Sequence, residues 1–353
     1  MFTCSGLDRC QPQRRRGPRA GSFRLTEDEP QWQPLPQRKW NNSAGEGYLV
    51  VPGLFDPVTD IDPLIKEYEH VLDNLAHELY AQGQISSLYT DLEFGPRLIE
   101  IYKESGKVQQ QYFDCTLHGA QVTDATPFWV GPEVFKMIRN AKLLDAVESI
   151  IGSEIYSNPV QHVRLKPPEQ LTPRDAAGRI QLAKTPPHQD NGVVTPDADE
   201  TDMLTVWFPL WDATEENGCL VVWPGSHRRG LLDHCPNFNG LQIPAKMLEG
   251  EGRPVPMQRG DVLFLTKLTM HASLSNLSDN IRWSYDLRYN PIGQPTGRGV
   301  FPGFIARSRQ HPETELRDAA EWQRIWFDTR HQLATNTTEK VFNRWSADSP
   351  VCA

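Results

Sequence analysis

Thr185-Pro186-Pro187-His188-Gln189-Asp190-Asn191-Gly192 sets an imidazole and a carboxylate two residues apart. On an extended strand, residues i and i+2 share a face, so His188 and Asp190 can address one point. A third candidate, His271, closes the run Gly260-Asp261-Val262-Leu263-Phe264-Leu265-Thr266-Lys267-Leu268-Thr269-Met270-His271. The chain between them is long enough for an antiparallel sandwich to return it to a neighbouring strand. Two imidazoles and one carboxylate on one face of a metal leave the other positions open. That suits Fe(II) and oxygen better than a closed structural zinc site. An isolated HxD pair recurs by chance in many chains, so the surroundings must carry the reading. His227 is a weaker ligand candidate, because it follows the Pro224-Gly225 turn.

Working outward, the pattern of apolar residues changes along the chain. Leu64, Ile65, Tyr68, Val71, Leu72, Leu75 and Leu79 recur at three- and four-residue steps, between a start signal at Asp62-Pro63 and a stop at Gly83. This spacing predicts an amphipathic helix, with shorter helices over 96–104, 132–140 and 142–151. After Gly152 the period becomes two, predicting strands at 160–165, 204–211, 220–223, 262–268 and 281–289. The Pro-containing stretch 167–187 reads as a mobile loop beside the site. Helical patterning returns over 313–345, around Trp322, Ile325 and Trp326. The order predicts a mainly β fold with flanking helices: a jelly-roll, or double-stranded β-helix, core with helices packed on one side. Residues 1–45 read as a basic tail and 46–345 as a single domain. That domain divides into a helical part (46–152), the jelly-roll core (153–295) and a C-terminal extension (296–345), and 346–353 form a second tail.

Composition narrows the function. Over 353 residues, 36 Lys and Arg stand against 45 Asp and Glu, a formal charge of −9. That balance argues against a predominantly nucleic-acid-binding chain, which needs clustered positive charge. The apolar runs are strand-sized, which argues against membrane spans, and no apolar segment follows the N-terminal arginines as an export signal requires. The six cysteines form no CxxC pair and three lie near the termini, a pattern read as reduced thiols in a cytoplasmic protein rather than a disulfide framework.

Further residues join the HxD pair in a fixed order. Leu165-Lys166-Pro167-Pro168 precedes it. Asn217-Gly218-Cys219-Leu220-Val221-Val222-Trp223-Pro224-Gly225-Ser226-His227, Gly260-Asp261-Val262, His271-Ala272-Ser273 and Arg282 follow. In these blocks the chain resembles the phytanoyl-CoA dioxygenase family of Fe(II)/2-oxoglutarate oxygenases, over about residues 45–310 and most closely from 160 to 290. The resemblance implies a dioxygenase that uses Fe(II), 2-oxoglutarate and O2. Its most natural reaction is hydroxylation of an unactivated C–H bond in a small molecule, with release of succinate and CO2.

Carried over position by position, the resemblance makes His188, Asp190 and His271 the iron ligands. It pairs Arg282 with Ser273 at the far carboxylate of 2-oxoglutarate, and sets Trp207, Gln189 and His162 beside the cosubstrate. The residues also admit plainer readings. Arg282 could pair with Asp286 across a strand, His162 could be a satisfied core histidine, and Trp207 could be a core aromatic. Arg164, Lys166, Lys184 and Asn191 are read at the mouth of the substrate pocket, where they suit an anionic or polar substrate. Asp190 favours hydroxylation over halogenation, because related halogenases carry a small residue there. Desaturation, cyclisation or epimerisation with the same cofactors, a 2-oxoglutarate-independent cupin-type metal enzyme, and a non-catalytic metal protein are the alternatives. The substrate and the oligomeric state are not legible.

Overall fold

Period-two patterning in the second half of the chain builds two facing antiparallel sheets, and period-3.6 patterning in the first half builds the helices that cover one of them. A computed structural model describes residues 45–118, 122–238, 240–335 and 344–352. The expected N-terminal tail lies outside the described residues apart from its last position. The helices are α1 (Asp62–Ala81), α2 (Phe94–Ser105), α3 (Gln110–Phe113), α4 (Pro132–Ile138), α5 (Ala141–Ile151) and α6 (Ala319–Thr335). α1 follows a π-helical turn, Pro57–Ile61, whose preceding Asp56 carboxylate accepts from the amides of Val58 and Thr59. Among the described residues, no helix is long and apolar enough to cross a membrane.

The strands are β1 (Tyr48–Val51), β2 (Glu154–Lys166), β3 (Leu204–Pro209), β4 (Leu220–Val222), β5 (Cys235–Asn237), β6 (Gly240–Gln242), β7 (Arg253–Val255), β8 (Val262–Thr266), β9 (His271–Ser273), β10 (Arg282–Pro291) and β11 (Phe304–Ser308). The larger sheet has the order β1-β8-β3-β10-β2-β11 and the smaller one the order β7-β4-β9. The inner faces meet through Trp207, Leu263 and Leu265 on one side and Leu220, Val222 and Val255 on the other. The fold is the jelly roll that the sequence predicts.

Strand β10 positions everything that follows. Trp283, Tyr285 and Tyr289 point to the helices: Trp283 stacks on Phe94 at 4.4 Å, Tyr285 Oη donates to Tyr68 Oη, and Tyr289 Oη donates to the Ile138 carbonyl. Alternation then turns Arg282, Ser284, Asp286 and Arg288 inward. Beside them on β2, Arg164 stands opposite Ser284 and His162 opposite Asp286, until the register breaks between Asp286 and Arg288. Pro159 falls in this irregular stretch, where a missing N–H is tolerated, and the freed Val160 carbonyl accepts from Arg288 Nη1.

Two expectations fail here. Cys235 and Cys352 form a disulfide, whereas Cys115 and Cys219 are free and buried. The bonded partners are 117 residues apart, and pairing at such a distance depends on tertiary contact that spacing does not reveal. The segment read as a tail from 346 is held in place by that bond. Just before it, Arg344 pairs with Asp199 at 2.7 Å, and Trp345 Nε1 donates to the Gly192 carbonyl at 2.7 Å. A disulfide typically stabilises a fold by about 2–4 kcal/mol, largely by constraining the unfolded chain. Reduction by a dithiol, or Cys352→Ser, should therefore lower the thermal midpoint by several degrees. Circular dichroism melts with and without reductant check this.

Candidate metal centre

His188 and His271 meet through an isolated antiparallel bridge, each amide donating to the other's carbonyl at 2.9 Å. This bridge continues the smaller sheet past β9 and brings the two rings to 4.3 Å between centroids. Asp190 is not on a strand, contrary to the reading of the HxD stretch. It opens a 3-10 turn, Asp190–Val193. The turn is possible because Gly192 lies against His234; a Cβ there would stand 2.4 Å from the ring. Convergence survives the change of conformation. His188 Nε2 and His271 Nε2 each lie 4.0 Å from one Asp190 oxygen, and the three donor atoms fall within 4.8 Å of one another.

Both rings are oriented by the backbone. Nδ1–H of His188 donates to the Pro186 carbonyl at 2.9 Å, and Nδ1–H of His271 donates to the Thr269 carbonyl at 3.0 Å. A carbonyl can only accept, so the proton sits on Nδ1 and the Nε2 lone pairs are free for a cation. Asp190 Oδ1 accepts from Arg288 Nη2, and Oδ2 accepts from the Thr205 hydroxyl. Burial alone would raise the Asp190 pKa, but Arg288 and the two imidazoles outweigh it and hold the carboxyl below its usual range. Burial, and then the neighbouring His271, pushes His188 down to about 3 against the pull of Asp190. Two imidazoles oriented by their Nδ1–H bonds, with Nε2 turned to an ionised carboxylate, make the donor set a divalent metal requires.

The same cavity is lined by Arg282, Ser273, Trp207, Thr205, Asp286 and Arg164. Arg282 is 2% exposed; it donates to Ser284 Oγ, and its Nε is a buried donor without a partner. Its guanidinium lies 5.5 Å from the Trp207 ring centroid. Burial, then the nearby Arg164, lowers the Arg282 pKa to about 10, so it stays charged at neutral pH. It does not pair with Asp286, whose carboxylate accepts from Arg288 at 3.3 Å. Ser273 Oγ accepts from Lys166 Nζ at 2.5 Å and from the Thr185 amide at 2.9 Å. With both lone pairs occupied, its hydroxyl proton remains to donate.

The other expected site residues are elsewhere. Lys166 is buried behind Ser273 and also donates to the Leu274 carbonyl, so it is not at a pocket mouth. Asn191 is buried and donates to Asp199. The Gln189 side chain bonds the Gly230 and Leu268 carbonyls and the Leu232 amide, while its own amide donates to His234 Nε2. His162 Nδ1 is 2.9 Å from Asp114 Oδ2. His227 lines a different cavity, with Ile150 and Lys267. Arg288 and Thr205 were not singled out from the sequence. The available signal was the inward alternation Arg282, Ser284, Asp286, Arg288 on a strand whose intervening residues, Trp283, Tyr285 and Leu287, are aromatic or apolar.

A jelly roll with an open His-Asp-His centre and a buried arginine in the same cavity defines a metal-dependent oxygenase scaffold. The sequence profile of the phytanoyl-CoA dioxygenase (PhyH) family matches residues 44–284, more than half the chain, and the chain belongs to that family. Its cofactors are accordingly Fe(II), 2-oxoglutarate and O2, and the donor set fits the metal. The phytanoyl-CoA dioxygenase domain-containing protein 1 of Danio rerio is 25% identical over 256 residues, covering 68% of this chain and 84% of that protein. Methylphosphonate hydroxylase of Gimesia maris is 40% identical over 82 residues, 23% of this chain and 31% of that protein. Among solved structures, the apo form of the non-heme monooxygenase ThoJ aligns with a TM-score of 0.54 at 16% identity, covering 84% of this chain and 96% of that one; the likeness is one of fold.

Two outcomes follow from the site's electrostatics. Replacing Arg288 by leucine leaves Asp190 buried without its counter-charge, which should cost about 3–5 kcal/mol and lower the urea midpoint accordingly. The second concerns pH. Burial also pushes His234 down to about 4, so like His188 it stays neutral in the folded protein at pH values where an unfolded imidazole, near 6.5, takes up a proton. The unfolded chain then binds more protons, so stability is fully present above the unfolded pKa and falls as pH drops from about 6.5 towards 4. Urea titrations of metal-free protein across that window should show the decline, with a shallower slope in His234→Gln.

Proposed function

We propose that the protein is an Fe(II)- and 2-oxoglutarate-dependent hydroxylase of a small molecule, with residues 46–345 working as one oxygenase domain. The observation that carries the reading is the convergence of the His188 and His271 Nε2 atoms on Asp190 in a cavity that also contains a buried arginine with an unpartnered Nε. His188, Asp190 and His271 hold the iron. Arg282 and the Ser273 hydroxyl hold the far carboxylate of 2-oxoglutarate, a planar acceptor that suits the guanidinium fork. Trp207 forms the wall beside it.

Bound together, iron, 2-oxoglutarate and O2 supply the oxidising equivalent, with succinate and CO2 as coproducts. The chain's own residues orient and enclose. Thr205 and Arg288 hold the Asp190 carboxylate ionised and fixed in direction, Pro186 and Thr269 set the imidazole tautomers, and Lys166 fixes the Ser273 rotamer. Gln189, Asn191 and His162 are supports in this scheme, and Arg164 faces the substrate. Asp190 occupies the carboxylate position, so the reading favours hydroxylation over halogenation.

Anaerobic reconstitution with Fe(II) and 2-oxoglutarate tests the assignment. Wild type should develop the weak visible charge-transfer band of a keto acid chelated to ferrous iron, and Arg282→Ala should lose it at the same cosubstrate concentration while keeping its iron. Absence of the band in iron-loaded wild type would leave a 2-oxoglutarate-independent metal protein as the better account.

A further inference from the structure

Past Arg164 and His188, the metal cavity opens into a second space of about 300 Å³. Leu182, Phe238 and Leu241 give its wall an apolar character, and Lys184 stands exposed at its rim. Arg164 lines both spaces, at their junction. The charged groups on this inner face are otherwise accounted for. Arg288 is committed to Asp190 and Asp286, Lys166 to Ser273 and the Leu274 carbonyl, and Arg282, which bonds Ser284 through Nη1, to the cosubstrate in the proposed function. Arg164 is half-buried, yet it makes no hydrogen bond or ion pair among the described residues, and neither does Lys184. Holding a guanidinium partly out of water beside other cations is unfavourable unless a counter-charge arrives. Nothing in the proposed chemistry of iron and 2-oxoglutarate uses this one.

We infer that the primary substrate is a small organic acid with an apolar body: its carboxylate is received by the Arg164 fork, with Lys184 adding positive potential at the entrance, and its body lies along Leu182, Phe238 and Leu241. A bidentate match to a planar carboxylate explains an arginine at this junction, where a lysine would supply only a point charge. Arg164 thereby decides which molecules are retained next to His188. The inference rests on the hydroxylase reading for what is done to the bound acid, but the binding itself does not depend on turnover.

The test is calorimetric titration under argon of the full chain, both metal-free and loaded with Fe(II) and 2-oxoglutarate. The ligands are octanoate, phenylacetate and benzoate, each against its primary amide. At least one acid should bind wild type 10-fold or more tightly than its amide. Arg164→Gln should abolish that preference while amide affinity and the charge-transfer band are unchanged, with Arg164→Lys intermediate. Lys184→Gln, an exposed change that keeps the fold, should weaken the acid two- to five-fold and not the amide. Equal binding of every acid and amide to wild type would overturn the inference. So would a preference that survives in Arg164→Gln, or loss of the band in that variant, which would put Arg164 on the cosubstrate instead. A failure of the hydroxylase reading is distinct, because it appears as a missing band in wild type and leaves the acid and amide comparison in metal-free protein intact.

Discussion

Asp190 is fully buried, and an ionised carboxylate there must be matched by positive charge or give up its charge by taking a proton. Arg288 provides the match from the neighbouring sheet, and the rest of the site is arranged so that it can. The break in register at Pro159 turns the Val160 carbonyl towards the guanidinium. Thr205 occupies the second carboxylate oxygen from the strand on the other side. Strand β10 thus carries both key arginines: Arg282 at one end of the inward row, with a buried unpartnered Nε and assigned to an outside anion in the proposed function, and Arg288 six residues on for an anion of the chain's own. The two similar side chains differ in fate only because one finds its carboxylate within the fold.

This arrangement explains which parts of the site could be read from the sequence. His188, Asp190, His271, Ser273 and Arg282 are legible because short, unusual segments carry them. The line between them, from strand to return strand, is what a sandwich makes. The conformation of the first segment was not legible. Pairing with β9 runs from Thr185 to His188, and only then does the chain turn, at Asp190, where Gly192 admits the close approach of His234 and alternation predicts extension. Lys166 and Asn191 were misplaced for a related reason. A polar residue near a motif reads as exposed, and its burial depends on partners such as Ser273 and Asp199, which only the fold brings near.

The fold itself was legible because both periods survive in it. The aromatic members of β10 needed helices to cover them, and the first half of the chain supplies helices of the right polarity. The cysteine reading failed because nothing local distinguishes Cys235 or Cys352 from Cys115 and Cys219. The first two lie on segments joined by a long connection, the other two inside the packed core.

The C-terminal segment shows what that bond does for the metal turn. Arg344 donates to the Val194 and Asn191 carbonyls, Trp345 donates to the Gly192 carbonyl, and the Trp345 ring packs on His234 at 5.2 Å, the residue that receives the Gln189 amide. A 3-10 turn leaves carbonyls unsatisfied by its own backbone. Here the Asn191, Gly192 and Val194 carbonyls are taken up by side chains from the far end of the chain, which Cys352 fastens to β5, and the Val193 carbonyl by Arg298. Arg288 fixes the charge of Asp190 from inside the barrel, and Arg344 and Trp345 fix its backbone from outside. Both are needed, since a ligand held by its charge alone could still swing away from His188 and His271.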